Sequence, residues 1–183
     1  MPRKIVANLF LTLDGVMESP EQWQFPYFND EMGAAIGAGF AASDALLMGG
    51  TLYREWAAHW PAQSGDVADI MNTTAKYVVT RTLDTADWAN TTVLRGDDVA
   101  AQVRELTQRE GKDIVVSGSA TLVNWLLSEQ LLDELSLLVC PLLRGHGRRL
   151  FDPAATPHQP LELVSGTAFA TGVLHQTYRP AAS

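Results

Sequence analysis

The sequence predicts an α/β sandwich on a mixed, mostly parallel sheet, and two observations carry that prediction. Through most of the chain, apolar runs of strand length alternate with helix-period stripes, the pattern of parallel strands joined by helical crossovers. Strands then dominate the end, where Leu161 to Phe169 and Val173 to Tyr178 flank a turn containing Gly172 and form an antiparallel hairpin. With 183 residues, 46% hydrophobic and 19% charged, the chain is sized for one domain over 1–183 with a full core.

Lys4 to Leu11 is the first strand, rich in Ile, Val, Leu and Phe and closed by Asp14-Gly15. Arg3 and Lys4 ahead of it imitate a secretory leader. Asn8 and Thr12 interrupt the run, however, and no small-residue cleavage site follows, so it reads as a buried strand and the protein as cytoplasmic. Glu18 to Phe28 is an aromatic loop with Trp23, Phe25, Tyr27 and Phe28. Asn29 caps a helix with Asp30 and Glu31 in its first turn and Met32, Ile36 and Phe40 as its stripe. Ala45 to Met48 is the next strand, and Gly49-Gly50 turns it into a helix from Thr51. A short helix around Val67, Ile70 and Met71 precedes the strand Lys76 to Thr80. Thr92 to Leu94 is a strand, Asp97 to Arg109 a helix, Asp113 to Val116 a strand and Ser119 to Leu132 a helix. Glu134 to Cys140 is the last strand before the hairpin.

Composition removes several classes of function. Thirteen Lys plus Arg against 21 Asp plus Glu give a formal charge of −8, which repels phosphate backbones and disfavours general nucleic-acid binding. No stretch approaches the ~20 apolar residues of a membrane span. The single cysteine, Cys140, excludes a disulfide framework and a multi-thiolate zinc site, and it reads as a buried, inert thiol. The four histidines show no metal-ligand spacing, and His175, alone on a strand, reads as structural. No metal is expected.

One feature occurs twice. Leu46-Leu47-Met48-Gly49-Gly50-Thr51 and Ile114-Val115-Val116-Ser117-Gly118-Ser119 both run from a buried strand through glycine into a helix. A helix N-terminus presents free N–H groups and positive potential, and glycine lets an anion approach the backbone. Two such junctions on one sheet edge can hold the two ends of a pyrophosphate; alternatively, the glycines only make tight turns. Neither is a Rossmann fingerprint, and no Walker-type phosphate loop is present. Thr80-Arg81-Thr82 puts a guanidinium at a strand end, suited to a 2′-phosphate or simply solvated. Arg144 to Arg149 is the one basic cluster, either an anion site or a solvated loop. Asp14 is placed to orient substrate or relay a proton, or to make an Asp-Gly turn. The aromatics from Trp23 to Phe28 either wall a planar heterocycle or cover the core.

Taken in order, Leu11 to Gly15, Leu46 to Thr51, Val115 to Leu122, Leu131 to Leu135, Pro141 to Gly147 and Leu150-Phe151 form a specific set spanning nearly the whole chain. In this the chain resembles the dihydrofolate reductase-like superfamily. It is most similar to stand-alone relatives of the C-terminal reductase domain of the bifunctional riboflavin-biosynthesis deaminase/reductase. The resemblance implies a dihydrofolate reductase-like three-layer sandwich, NADPH as hydride donor, and a homodimer. It places Gly49, Gly50 and Thr51 on the cofactor, with Thr80 and Arg81 near its adenosine phosphate. It wraps the pyrophosphate with Val116, Ser117, Gly118, Ser119, Ala120, Thr121 and Leu122. Asp14, Trp23 and Phe28 fall to the substrate side. Two departures stand out: Ser117 occupies the place of a Glu usual in that reductase, and the deaminase half is absent.

The expected function is NADPH-dependent reduction of a pterin-, pyrimidine- or flavin-precursor-like heterocycle, with Asp14 as the proton-handling group. The alternatives are a non-catalytic module that binds or senses NADP(H), and a dimeric scaffold using the glycine-rich first helix as its contact face.

Overall fold

The computed structural model describes residues 2–152, 154 and 156–181. In chain order the strands are β1 (Ile5–Thr12), β2 (Ser43–Gly49), β3 (Ala75–Val79), β4 (Thr91–Leu94), β5 (Asp113–Val116), β6 (Glu134–Cys140), β7 (Leu161–Ala168) and β8 (Leu174–Pro180). The helices are α1 (Asp30–Ala42), α2 (Gly50–His59), α3 (Asp66–Thr73), α4 (Val99–Gln108) and α5 (Ala120–Ser128). All eight strands join one sheet in the order β4-β3-β2-β5-β1-β6-β8-β7. β1 to β6 pair in parallel, while β8 runs antiparallel between β6 and β7. The mixed sheet and its terminal hairpin are as the sequence predicts.

Alternation along the strands loads both faces with apolar side chains, as a sheet covered on both sides requires. Ile5, Ala7, Leu9, Leu11, Ile114 and Val116 turn one way and pack on Val103, Leu106, Leu122, Val123 and Leu126 of α4 and α5. Leu46, Met48, Val78 and Val115 turn the other way, against Phe40 of α1, Leu52 and Trp56 of α2, and Met71 of α3. Helices, sheet and helices form three layers. A third cluster, with Trp23, Met32, Cys140, Phe169 and Val173, seals the hairpin to the start of α1.

Caps explain where the helices begin. Asn29 Oδ1 accepts from the Met32 amide at 3.0 Å, and Asp98 Oδ1 from the Ala101 amide at 2.8 Å. Two predicted boundaries differ from the structure. The helix predicted to reach Leu132 stops at Ser128, because Gln130 turns left-handed at φ 57° and sends Leu131 and Leu132 into the core from a loop. Their apolar spacing merely imitates another helical turn. β2 starts at Ser43, ahead of the apolar run, with its second residue, Asp44, ion-paired to the buried Arg3.

One glycine of α1, Gly39, permits close packing within the chain. A Cβ on Gly39 would lie 2.8 Å from Nδ2 of Asn8 on β1, so this helix settles directly onto the sheet. β7 forms the outer edge of the sheet, and its apolar residues Leu163 and Val164 are exposed.

Candidate active site

β2 and β5 are parallel neighbours, so both glycine junctions open at the same edge of the sheet. They also touch. A Cβ on Gly49 would come 3.3 Å from Ser119 Oγ, and a Cβ on Gly50 would come 2.9 Å from Thr80 Oγ1. The space a side chain would need is held by hydroxyls beside two helix N-termini, an arrangement suited to an anion. Gly118 adopts φ 135°, a backbone region closed to ordinary side chains, and the Gly118–Ser119 peptide is cis. Ser119 Oγ accepts from the Leu122 amide at 3.4 Å. The first turn of α2 has no side-chain cap, so its amides stay free. At the end of β3, Thr80 is buried and Arg81 exposed, while Arg54 reaches across from α2 to donate to Thr82 Oγ1 at 2.7 Å.

A cavity of about 750 Å³ extends from these junctions across the sheet. That volume suits a nucleotide-sized ligand together with a small heterocycle. Thr51, Ser117, Gly118, Ser119 and Ala120 close one end. Ala35, Ile36 and Phe40 of α1 and Leu52, Glu55 and Trp56 of α2 form the walls. The floor is sheet: Asn8 and Phe10, Ser136 and Leu138, and His175. Met17 to Glu21, with Gln24, cross the mouth beside Arg148. His175 Nε2 lies 3.0 Å from Ser136 Oγ, and burial holds its pKa below the usual histidine value.

The predicted residues separate into three groups. Thr51 and Ser117 to Ala120 line the cavity, with Gly49, Gly50 and Thr80 packed directly behind them and Arg81 exposed at that edge. Val116 and Leu122 turn their side chains into the core, and Thr121 faces solvent, so these three offer only backbone to a ligand. Asp14, Trp23 and Phe28, expected on the substrate side, are not among the residues lining this cavity.

Asp14 is a clasp. Its Oδ1 accepts from the Thr12 hydroxyl at 2.5 Å and the Arg144 amide at 3.1 Å, and its Oδ2 accepts from the Gly145 amide at 2.9 Å. Arg149 Nε donates to its carbonyl at 2.8 Å. The Thr12 hydroxyl, then the Arg144 and Gly145 amides, hold its carboxyl far below the usual carboxylate range. Through these hydrogen bonds Asp14 tethers the basic loop to the end of β1. Its ordinary pKa is near 3.9, so the stabilisation it gives is complete above that value and disappears as pH falls toward its lower folded value. Asp14→Ala is therefore expected to lower the melting temperature by several degrees near neutral pH. The gap from wild type should narrow in strong acid, and thermal melts across pH check this.

Trp23 fills the third core cluster, with its indole N–H donating to the Glu18 carbonyl at 3.0 Å, and Phe28 is an exposed ring resting on Gly33. Of the predicted aromatic loop, it is mostly the polar members that reach the cavity mouth. The sequence reading missed Asn8, Ser136, Trp56 and Trp60 and gave His175 no ligand role. Its available signal was the phase of Asn8 and Ser136, polar residues at inward positions of otherwise apolar strands.

A three-layer sandwich with its cleft at the carboxyl edge of a mostly parallel sheet is the dihydrofolate reductase-like fold. The chain belongs to the RibD C-terminal domain family, matched over residues 3–175. It is 26% identical over 182 residues to the uncharacterized protein YyaP of Bacillus subtilis (strain 168), covering 96% of this chain and 94% of that protein. Its structure is similar to that of a protein of Shewanella sp. PV-4 assigned to riboflavin biosynthesis (TM-score 0.79, 15% identity, all of both chains covered). It is also similar to the dihydrofolate reductase of Enterococcus faecalis solved with NADP(H) (TM-score 0.63, 13% identity, 98% of this chain and 97% of that one). At these identities the two structures speak for the fold alone.

Proposed function

We propose that the protein is an NADPH-dependent reductase of a planar nitrogen heterocycle of pyrimidine or pterin type. One observation carries the reading: two touching glycine junctions close one end of a single cavity whose other end has a polar floor. The residues fit the cofactor. The free amides of α2 and the Ser117–Ala120 backbone would hold the diphosphate, with the hydroxyls of Thr80 and Ser119 packed against them. Arg81 would meet the ribose phosphate. When bound, NADPH supplies the hydride. The chain holds the acceptor ring flat on the floor, while Trp56, Ile36 and Phe40 keep water from the reacting face.

The test is to follow nicotinamide absorbance with NADPH and a panel of acceptors: dihydrofolate, a dihydropterin and a ribosylated diaminouracil. The expected result is turnover of about 1 s⁻¹ or faster on at least one of them. A second reading, a module that binds NADP(H) without catalysis, is favoured by one observation: Asp14 is locked in a structural clasp. It predicts saturable NADPH binding and no turnover on any acceptor.

A further inference from the structure

The cavity runs well past the anion cradle. α1 and α2 both start at the carboxyl edge of the sheet, where β1 and β2 deliver the chain, and run back toward the amino edge. Thr51 in the first turn of α2 and Trp60 just past its end both line the cavity. It therefore follows that helix for roughly 13 Å, at about 1.5 Å per residue. The amino-edge end is built from three pairs spaced one helical turn apart: Ile36 and Phe40, Trp56 and Trp60, and Val67 and Met71 on α3. Residues four apart share a helix face, so three successive segments each turn an apolar face to this end. The Trp56 and Trp60 rings meet edge to face, with centroids 6.5 Å apart and planes at 86°. Trp60 Nε1 is buried away from the space, so that ring offers it carbon. Val67, 57% exposed, forms an apolar lip.

We propose that this end is a slot for an uncharged aromatic arm carried by the ring that is reduced. This rests on the reductase reading, which puts the cofactor diphosphate at the opposite end of the same cavity. Two indoles and Phe40 surround an aryl group with ring faces and edges, the contacts aromatic groups prefer. Charge excludes an anionic arm. Among the described residues that line the cavity, Glu18, Glu21 and Glu55 stand against a single guanidinium, Arg148. Arg148 belongs to the carboxyl-edge mouth, where its amide donates to Glu18 Oε2 at 2.9 Å. Beside the slot the charged lining residue is Glu55, next to Trp56 on α2. A phosphorylated sugar placed here would meet that carboxylate with no cation to offset it, and its hydroxyls would lose water against carbon. An aryl group gives up nothing on entering and covers apolar surface.

The experiment is calorimetric titration of the whole protein, with and without NADP⁺, using diaminouracil whose one exocyclic amino group is unsubstituted, benzylated or phosphoribosylated. Wild type is expected to bind the benzyl compound at least about 10-fold more tightly than the unsubstituted one, and the phosphoribosyl compound no more tightly than the unsubstituted one. Val67→Lys places a cation on the lip at an exposed position, so the core is untouched and circular dichroism should match wild type. It should cut the benzyl advantage to below about 3-fold and tighten the phosphoribosyl compound by about 10-fold. Its affinities for unsubstituted diaminouracil and for NADPH should stay within about 2-fold of wild type. A smaller benzyl preference in wild type, a phosphoribosyl compound bound more tightly than the unsubstituted one, or a variant that keeps the wild-type ratios would overturn the proposal. Failure of NADPH to bind would instead count against the reductase reading, and the ranking of the three compounds without cofactor would still decide this one.

Discussion

Gly50→Val is expected to weaken NADPH binding by about 100-fold, close to 2.7 kcal/mol, while leaving the sheet intact. A Cβ at Gly50 would stand 2.9 Å from Thr80 Oγ1, closer than real contacts allow, and 3.3 Å from Thr80 Cβ, itself a tight approach. Thr80 directly follows β3 and is buried, so it cannot swing clear as a surface side chain would. The junction must move instead, carrying the first amides of α2 away from the partner loop at Ser119. Gly37 is the control: a Cβ there meets nothing within 4 Å, and Gly37→Ala should bind NADPH as wild type does. Titration of the two variants, with circular dichroism to confirm the fold, decides the matter. An affinity for Gly50→Val within about 3-fold of wild type would mean that the junction does not hold the cofactor.

The largest expected loss of stability comes from Lys76→Met. Lys76 is fully buried, with its ammonium donating to the carbonyls of Asn72, Thr74 and Ala89 at 3.2, 2.7 and 3.1 Å. It also lies 4.3 Å from the centre of the Trp88 ring. This one side chain ties the end of α3 to the turn before β4. Methionine matches its length but removes the ammonium donor shared by these three carbonyls, a loss of about 3 kcal/mol or roughly 10 °C in melting temperature. Burial pushes the Lys76 pKa down to about 8 from its ordinary 10.5. Between those values the unfolded chain holds one more proton than the folded chain, so wild-type stability gains from rising pH there, and the variant should lack that gain. Equal stability of the two proteins would mean that water reaches the carbonyls.

How much of this was legible in the sequence depended on the range of the signal. The glycine junctions were readable because strand, glycine and helix are local features, and only their contact needed the sheet order. The hairpin was readable for the same reason, from a turn flanked by two strand-like runs. Cys140 is buried, as read, with its thiol pushed up to about 11. The clasp of Asp14 was not legible because its partners, Arg144 and Gly145, lie far away in the chain. The floor was missed because Asn8, Ser136 and His175 come from three strands and meet only through register. The end of α5 was misplaced because Leu131 and Leu132 keep the helical spacing of core residues after the backbone has turned at Gln130.

Crystals of the protein grown with NADP⁺ would examine the shared anion cradle most directly. Density for the diphosphate is expected between the Gly49–Thr51 amides and the Ser117–Ala120 loop, with the nicotinamide ring directed toward Asn8 and His175. A dinucleotide bound elsewhere on the surface, or only one junction in contact with phosphate, would contradict the account.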